Sequence, residues 1–146
     1  LHREPMTSMC HFEISVGRHA PVDISADGVI LSTPTGSTAY SLSGNGPIIS
    51  PDVRAITLLP MFPHSLNART LITNQDRTVK LRVRGKSKAY LSMDSHNNLK
   101  VNPNEDVYIR RADTELTLIH PLDHSFFYSC RNKLGWSLGV PPKNTP

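Results

Sequence analysis

The stretch that organises this chain of 146 residues runs from Ala26 to Ser43, with the sequence ADGVILSTPTGSTAYSLS. Its Asp-Gly pair is a turn signal, and Val29–Leu31 is a short apolar run typical of a buried strand. Pro34 ends regular strand pairing because it has no N–H group to donate. We therefore expect the chain to leave a strand and turn within a run of small and hydroxyl-bearing residues.

A short helix is expected to follow this turn. Ser37 or Thr38 is a suitable cap for a helix through Ala39–Ser43, and Gly44 is its expected end. Gly36 permits either a positive φ or a close approach to a ligand. A strand that leads through a tight polar turn into a helix directs N–H and hydroxyl groups at one point. This arrangement favours a polar or anionic ligand. The alternative from residue types alone is a tight connection whose hydroxyl groups satisfy their own backbone.

Alternating or continuous apolar runs elsewhere predict short strands joined by turns. The predicted strands span Cys10–Gly17, Ala55–Met61, Arg77–Arg84, Ala89–Met93, Asp106–Arg111 and Glu115–Ile119.

We expect two hairpins among these strands. Arg77–Arg84 should pair with Ala89–Met93, and Asp106–Arg111 should pair with Glu115–Ile119. The stretches at 18–25 and 94–98 are predicted to be a connector and a polar loop. Ser125–Leu134 predicts a short helix that is capped by Ser125.

Composition bounds the possible functions only loosely. The formal net charge of +4 suits a phosphorylated ligand, an ordinary surface or weak attraction to nucleic acid. The outward cations of Arg77–Arg84 have no interleaved aromatic residues, so they favour a solvated face that discourages edge pairing.

No apolar stretch approaches the roughly 20 residues of a membrane span. Cys10 and Cys130 lack metal-site spacing and suggest reduced, cytosolic thiols.

Several motifs together resemble one known family. TPTGSTAYSLS, followed by GNGPIISP, resembles the signature of bacterial NAD kinases, which phosphorylate NAD to NADP. The resemblance continues through AITLLPMFPHSLNART at Ala55–Thr70, LSMDS at Leu91–Ser95 and the tail Lys133–Trp136. The family's Gly-Gly-Asp-Gly motif, which holds its catalytic aspartate, does not occur here, nor does its Asn-Glu pair. Since the sequence also starts with Leu1, we expect a fragment or an excised domain.

The resemblance implies the fold. It predicts a mainly all-β, β-sandwich-like C-terminal domain over residues 1–140, followed by a disordered tail at 141–146. One short helix should follow the TPTGS loop and another should lie near the C-terminus. The N-terminal α/β domain that carries the catalytic aspartate is absent from this sequence.

The resemblance also implies a set of nucleotide contacts. It assigns dinucleotide binding to residues of the central stretch and to one histidine that stands where some members have glutamine: Asp27, Thr38, Ala39, Tyr40, Ser41, Leu42, Ser43 and His96. It assigns no catalytic residue and no metal ligand to this chain. Residue types alone add His64 as a possible base or phosphate contact and Arg69 as a possible phosphate partner, each with an ordinary loop role as the alternative.

The implied activity is transfer of a phosphoryl group from ATP, or from polyphosphate, to the adenosine ribose 2′-hydroxyl of NAD. The resemblance implies Mg²⁺ with ATP, a homodimer or homotetramer, and a cytoplasmic enzyme without membrane or nucleic-acid partners. The isolated chain is expected to bind NAD weakly or not at all and to be inactive. The alternatives are a truncated, non-catalytic nucleotide-binding remnant, a basic β-module that binds nucleic acid, and a related lipid kinase.

Overall fold

The computed structural model describes residues 1–3, 9–94 and 96–136, which form ten strands, a 3-10 helix and two α-helices. The strands are β1 (His2–Arg3), β2 (Cys10–Val16), β3 (Val22–Ala26), β4 (Gly28–Ser32), β5 (Ala55–Met61), β6 (Leu71–Asn74), β7 (Val79–Arg84), β8 (Ala89–Met93), β9 (His96–Val101) and β10 (Asp106–Ile109). The 3-10 helix is Thr35–Thr38, and the α-helices are α1 (Tyr40–Ser43) and α2 (Phe126–Leu134).

All ten strands lie in a compact unit that ends at Ala112, and α2 lies in a second unit that begins at Asp113. One sheet has the order β6-β5-β4-β1-β8-β9 and the other has the order β10-β7-β2-β3. Every strand pair in both sheets is antiparallel. The predicted mainly β, sandwich-like fold with two short α-helices is therefore confirmed.

One apolar core fills the space between the two sheets. The four-stranded sheet contributes Phe12 and Leu81, and the six-stranded sheet contributes Val29, Leu58 and Ala89. The predicted alternation of β7 is correct, because its odd-numbered residues are buried while its even-numbered residues face outward. Burial of these apolar side chains supplies the main driving force that holds the sheets together.

The outward cations of β7 have a different role from the predicted one. β7 lies between β10 and β2, so it is not an edge strand. Arg82 donates to Asp106 at 2.5 Å, and Arg84 lies 3.3 Å from Glu13. The hydrogen bond from Arg82 lowers the pKa of the Asp106 carboxyl. These pairs partly neutralise the basic face, which disfavours the nucleic-acid alternative.

The continuous apolar run of β5 is explained by burial on both faces of its strand. Leu58 belongs to the core between the sheets, whereas Thr57 and Leu59 point the other way and are also buried. The chain around α1 covers this second face, since Gly44 and Gly46 both approach Leu59 closely. A strand that is covered on both sides loses the alternation of apolar and polar residues.

Both predicted hairpins are wrong. β7 and β8 belong to different sheets, so the turn at Gly85 carries the chain from one sheet to the other. β10 pairs with β7, and Glu115–Ile119 forms no strand. Local alternation identifies a strand but not its partner, because several neighbours can cover the same apolar face.

Other segments hold strands where a connector or loop was predicted. The connector at 18–25 contains most of β3, and the loop at 94–98 contains the start of β9. Both strands lie at sheet edges and have one buried residue each, so their apolar signal is weak. The predicted helix caps at Ser37 and Thr38 are also wrong, because neither the 3-10 helix nor α1 has a side-chain cap.

The second unit contains the helix predicted near the C-terminus. Ser125 caps α2, since its hydroxyl accepts a hydrogen bond from the Tyr128 N–H at 3.3 Å. Gly135 ends the helix in the left-handed conformation at φ 66°. The predicted disorder at 141–146 lies outside the described residues.

Two further features concern membrane-spanning helices and the two cysteines. None of the helices among the described residues combines the length and the apolar character needed to cross a membrane. Cys10 and Cys130 are both buried and free. Burial raises the pKa of the Cys10 thiol, so this thiol resists ionisation at neutral pH.

The amino group of Leu1 gives a testable pH dependence. It donates to the Val29 carbonyl at 2.9 Å, and burial lowers its pKa from 8.0 to about 6. Between these values the unfolded chain binds more protons than the folded chain, so stability rises with pH. We expect the free energy of unfolding of the chain that starts at Leu1 to increase from pH 6 to pH 8, by an amount on the order of 2 kcal/mol.

Urea unfolding across this pH range measures the effect. The control is the same chain with an acetylated N-terminus, which keeps an N–H donor but has no amine to titrate. The difference between the two curves isolates the amine from the histidines, which titrate in the same range. Parallel curves would contradict burial of the Leu1 amine.

Candidate functional site

The central stretch folds as a strand, a 3-10 turn and one short helical turn. β4 ends at Ser32, the 3-10 helix starts at Thr35, and α1 follows after a break at Ala39, whose φ and ψ are −97° and −132°. The predicted helix at 39–43 is therefore correct to within one residue. Because α1 has only four residues, its macrodipole is too small to favour the anionic ligand that the sequence predicts.

Hydroxyl groups hold the start of this turn. Thr57 on β5 is fully buried, and its Oγ1 donates to the Ser32 carbonyl at 3.0 Å and lies 2.8 Å from the Ser32 hydroxyl. Thr33 Oγ1 then accepts from the Gly36 N–H at 3.2 Å. Gly36 does not adopt a positive φ, so that one of its two predicted uses is wrong.

Two serines anchor the rest of the turn. Ser37 and Ser41 have 0% and 1% of their surface exposed. Ser37 Oγ donates to the Pro34 carbonyl at 2.6 Å and accepts from the Ile49 N–H at 3.0 Å. Ser41 Oγ is buried without a hydrogen-bond partner within the described part of the chain. Sequence analysis treated these residues as a cap and a ligand contact, but both side chains point into the protein.

Glycines let the segment after α1 lie flat on the sheet. A Cβ on Gly44 would lie 2.7 Å from Leu59 Cδ2, and a Cβ on Gly46 would lie 2.5 Å from Ser41 Oγ. The left-handed residue after α1 is Asn45, at φ 64°, rather than Gly44. Gly44 is therefore needed for space and not, as a helix stop usually is, for its φ.

The remaining residues of the predicted site differ in exposure. Ala39, Tyr40 and Ser43 are exposed, and Tyr40 keeps 62% of its surface accessible. Thr38 and Leu42 are partly buried, and Thr38 Oγ1 donates to the Thr35 carbonyl at 3.4 Å. A solvent-side ligand therefore meets an edge formed by Thr38–Tyr40 and Ser43, which we call the exposed edge.

Asp27 precedes β4 and lies at the opposite end of this strand from Ser32, five strand steps or about 16 Å away. Its carboxylate accepts from Arg3 Nε at 2.7 Å and so forms an ion pair with β1.

His96 lies at the same end of the sheet as the turn after β4. β4 and β8 run parallel on either side of β1, so the turn after β8 projects past the same sheet end as the turn after β4. Two strand spacings, about 10 Å, separate the two turns. The His96 side chain is exposed, and its Nδ1 lies 2.7 Å from the Asp94 carbonyl.

The loop at 62–70 lies at the other end, beside Asp27. β5 ends where β4 begins, and the His64 N–H donates to the Ser25 carbonyl at 2.9 Å. His64 and Arg69 are exposed. The structure therefore places this loop beside the start of β4.

The described residues do not fit a resident metal ion. Across 1–3, 9–94 and 96–136, no three histidine, cysteine, aspartate or glutamate side chains converge on one point. Mg²⁺ prefers several carboxylate, water and phosphate oxygens, and these ranges hold no such group of carboxylates. No chemical step can be routed through a metal held by these residues.

Sequence analysis missed the residues that support the turn from below. Gly46 and Ile49 carry no signal of a ligand site, since they lie in an irregular stretch. Thr57 gives the available signal, because it is a lone hydroxyl within the apolar run of β5. A fully buried hydroxyl requires a hydrogen-bond partner, and Ser32 provides it.

A family model described as the ATP-NAD kinase C-terminal domain matches residues 1–121. Over 138 residues the chain is 55% identical to NAD kinase 2 of Prochlorococcus marinus strain NATL2A, a match that covers 94% of this chain and 46% of that protein. It is 49% identical to NAD kinase of Klebsiella pneumoniae subsp. pneumoniae, with coverage of 94% and 47%. The chain therefore spans less than half the length of these relatives.

Two solved structures have folds similar to that of this chain. Yeast NADH kinase complexed with NADH superimposes with a TM-score of 0.84 at 26% identity, over 97% of this chain and 44% of that chain. An NAD kinase from Archaeoglobus fulgidus in complex with ATP has a TM-score of 0.66 at 24% identity, over 77% of this chain and 43% of that chain. The second match supports the fold alone.

The close packing of the segment after α1 predicts different effects for two glycine substitutions. Gly46→Ala should destabilise the chain by about 2 kcal/mol, since the new Cβ would also lie 2.8 Å from the backbone oxygen of Ser41. Gly36→Ala is the matched control from the same turn, because its Cβ would meet nothing closer than 3.5 Å. Its effect should stay within about 0.5 kcal/mol.

Urea unfolding of both variants provides the comparison. Equal losses of unfolding free energy in the two variants would contradict the packing of Gly46 against Ser41.

Proposed function

The chain belongs to the ATP-NAD kinase family, whose C-terminal domain model it matches over residues 1–121, and from this premise we propose that it supplies the dinucleotide-binding half of an NAD kinase. The complete enzyme transfers a phosphoryl group from ATP, or from polyphosphate, to the adenosine ribose 2′-hydroxyl of NAD. The product is NADP. The observation that carries the proposal is the exposed edge, which the buried residues beneath it hold in place.

The exposed edge provides chemistry that suits a dinucleotide. The backbone carbonyl groups of Thr38 and Ala39 can accept hydrogen bonds from the polar edge of adenine, whereas the Ala39 N–H already donates to the Gly36 carbonyl at 3.0 Å. Tyr40 offers an accessible ring face for stacking. Ser43 can donate to a ribose or an amide, and Leu42 adds apolar contact. Ser41 supports the edge from below, since its side chain is buried.

His96 and Asp27 extend the proposal to both ends of the sheet. The exposed imidazole of His96, about 10 Å from the turn after β4, is within reach of a second part of an extended dinucleotide. Asp27 lies at the opposite end, and its carboxylate is held by Arg3. We propose that Asp27 contacts a ribose or an amide there, and the ion pair fixes the orientation of its carboxylate.

The catalytic steps are assigned to residues outside this chain. Phosphoryl transfer depends on positioning and on neutralising charge at the transferring group, to which Mg²⁺ bound with ATP contributes. Among the described residues, no three histidine, cysteine, aspartate or glutamate side chains form a group that could hold a metal ion. In this proposal residues 1–140 hold and orient NAD, and an N-terminal α/β half supplies the base and the triphosphate site. We place the enzyme in the cytoplasm as a homodimer or homotetramer.

A chimeric enzyme tests the proposal. The N-terminal half of the Prochlorococcus relative is joined to this chain in place of its own C-terminal half. We expect the chimera to form NADP from NAD and ATP in a coupled dehydrogenase assay, while each half alone forms none. NADP formation by the isolated 146-residue chain would contradict the division of roles, and a folded chimera without activity would contradict the proposed function.

Tyr40 gives a prediction for one side chain of the exposed edge. In the chimera, Tyr40→Ala should raise the KM for NAD roughly 2- to 10-fold, because the loss of ring stacking costs about 0.5–1.5 kcal/mol. The KM for ATP should stay the same.

Tyr108→Ala is the matched control, since Tyr108 is an equally exposed tyrosine on β10 of the other sheet. This variant should leave both KM values unchanged. An equal rise in the KM for NAD in both variants would show that Tyr40 has no specific contact with the dinucleotide.

A further inference from the structure

Most of the exposed edge, Thr38–Tyr40, lies between the two buried serines of the turn. Ser37 and Ser41 are one helical turn apart, and the residues between them, Thr38, Ala39 and Tyr40, reach the surface. Local hydrogen bonds join these residues into one unit, because the Ala39 N–H donates to the Gly36 carbonyl and the Ala39 carbonyl accepts from the Leu42 N–H, each at 3.0 Å. The anchors on either side determine where this unit lies on the protein.

The two anchors work in different ways. The Ser37 hydroxyl is bonded on two sides, to the Pro34 carbonyl at 2.6 Å and to the Ile49 N–H at 3.0 Å. The Ser41 hydroxyl has no partner among the described residues, and Ser41 contributes its small size, because it fits against Gly46. Ser37 is therefore the anchor that acts through its hydroxyl group.

The bond to Ile49 joins the turn to a segment that has no regular structure. Residues 45–54 form neither helix nor strand, and Ile49 is nearly buried, so its N–H has no sheet partner. A buried N–H group without a partner is strongly unfavourable. Removal of the Ser37 hydroxyl would release the 3-10 helix and the segment around Ile49 together.

We propose that Ser37 is a positioning residue of the dinucleotide site: its hydroxyl holds the backbone of Thr38 and Ala39 in the geometry that receives NAD, without touching NAD itself. This inference rests on the proposed function. It goes beyond the motif resemblance because it divides neighbouring residues into those that contact the ligand and one that acts through them. Ser37 should therefore affect NAD binding more than it affects phosphoryl transfer.

The first experiment measures the anchor without any ligand. Amide hydrogen exchange of the full 146-residue chain reports the protection of the Ile49 N–H. We expect Ser37→Ala to reduce this protection at least tenfold relative to core amides such as that of Leu81. Ser41→Ala is the comparison, since it removes a buried hydroxyl without a partner and should leave Ile49 protection unchanged. Unchanged protection in Ser37→Ala would overturn the proposal.

The second experiment measures the effect on the site in the active chimera. Ser37→Ala should raise the KM for NAD about tenfold, while kcat and the KM for ATP change less than twofold. Val83→Ala serves as the control for loss of stability, because it removes buried apolar volume from β7 in the other sheet. This variant should unfold more easily and keep the parent KM for NAD.

The outcomes separate this inference from the proposed function. An inactive parent chimera that is folded would overturn the proposed function, and the positioning role with it. An active parent chimera in which Ser37→Ala and Val83→Ala have the same KM for NAD would overturn the positioning role alone. A fall in kcat without a rise in the KM for NAD would also overturn it, because the residue would then act on the chemical step.

Discussion

The structure depends on the close packing of the turn after β4 against β5. Gly44 and Gly46 bring the chain onto Leu59, and the buried Ser37 and Ser41 fit beneath the exposed edge. This contact covers the outer face of β5, so the strand is apolar on both sides and the six-stranded sheet can be buried at its centre. The same contact fixes the site, because it leaves the backbone around Ala39 no other place to lie. Fold and ligand edge therefore rest on one interaction.

The sheet separates two of the proposed contact residues between its two ends. His96 follows β8, at the end of the sheet where β4 also ends, and Asp27, held by Arg3, lies where β4 begins. One side chain cannot bridge about 16 Å of strand. A dinucleotide that uses both ends must be extended, or the two ends must serve different molecules.

The strands with a buried face could be predicted because burial leaves a period in the sequence. Phe12 and Ile14 on β2, like Val83 on β7, alternate with polar residues, and each is buried as the alternation predicts. β9 escaped prediction because five of its six residues are exposed, and β3 because only Ala26 of its five residues is buried. The hairpin predicted from β7 to β8 failed for another reason: a short turn suggests local pairing, but here Gly85 passes the chain to the other sheet. Pairing depends on which apolar faces meet, and local sequence does not record that.

The sequence by itself determined the family and the mainly β fold, because TPTGSTAYSLS combines residue types that few structures require together. Only the tertiary structure decided which of those residues can meet a ligand. Tyr40 and Ser41 are adjacent in the motif, yet one is 62% exposed and the other is buried. That difference arises because Gly44 and Gly46 pack against Leu59 on β5 and Ser41 fits against Gly46, so one side of the turn faces the protein. A motif records which residues are present, whereas packing against distant residues decides which way each of them faces.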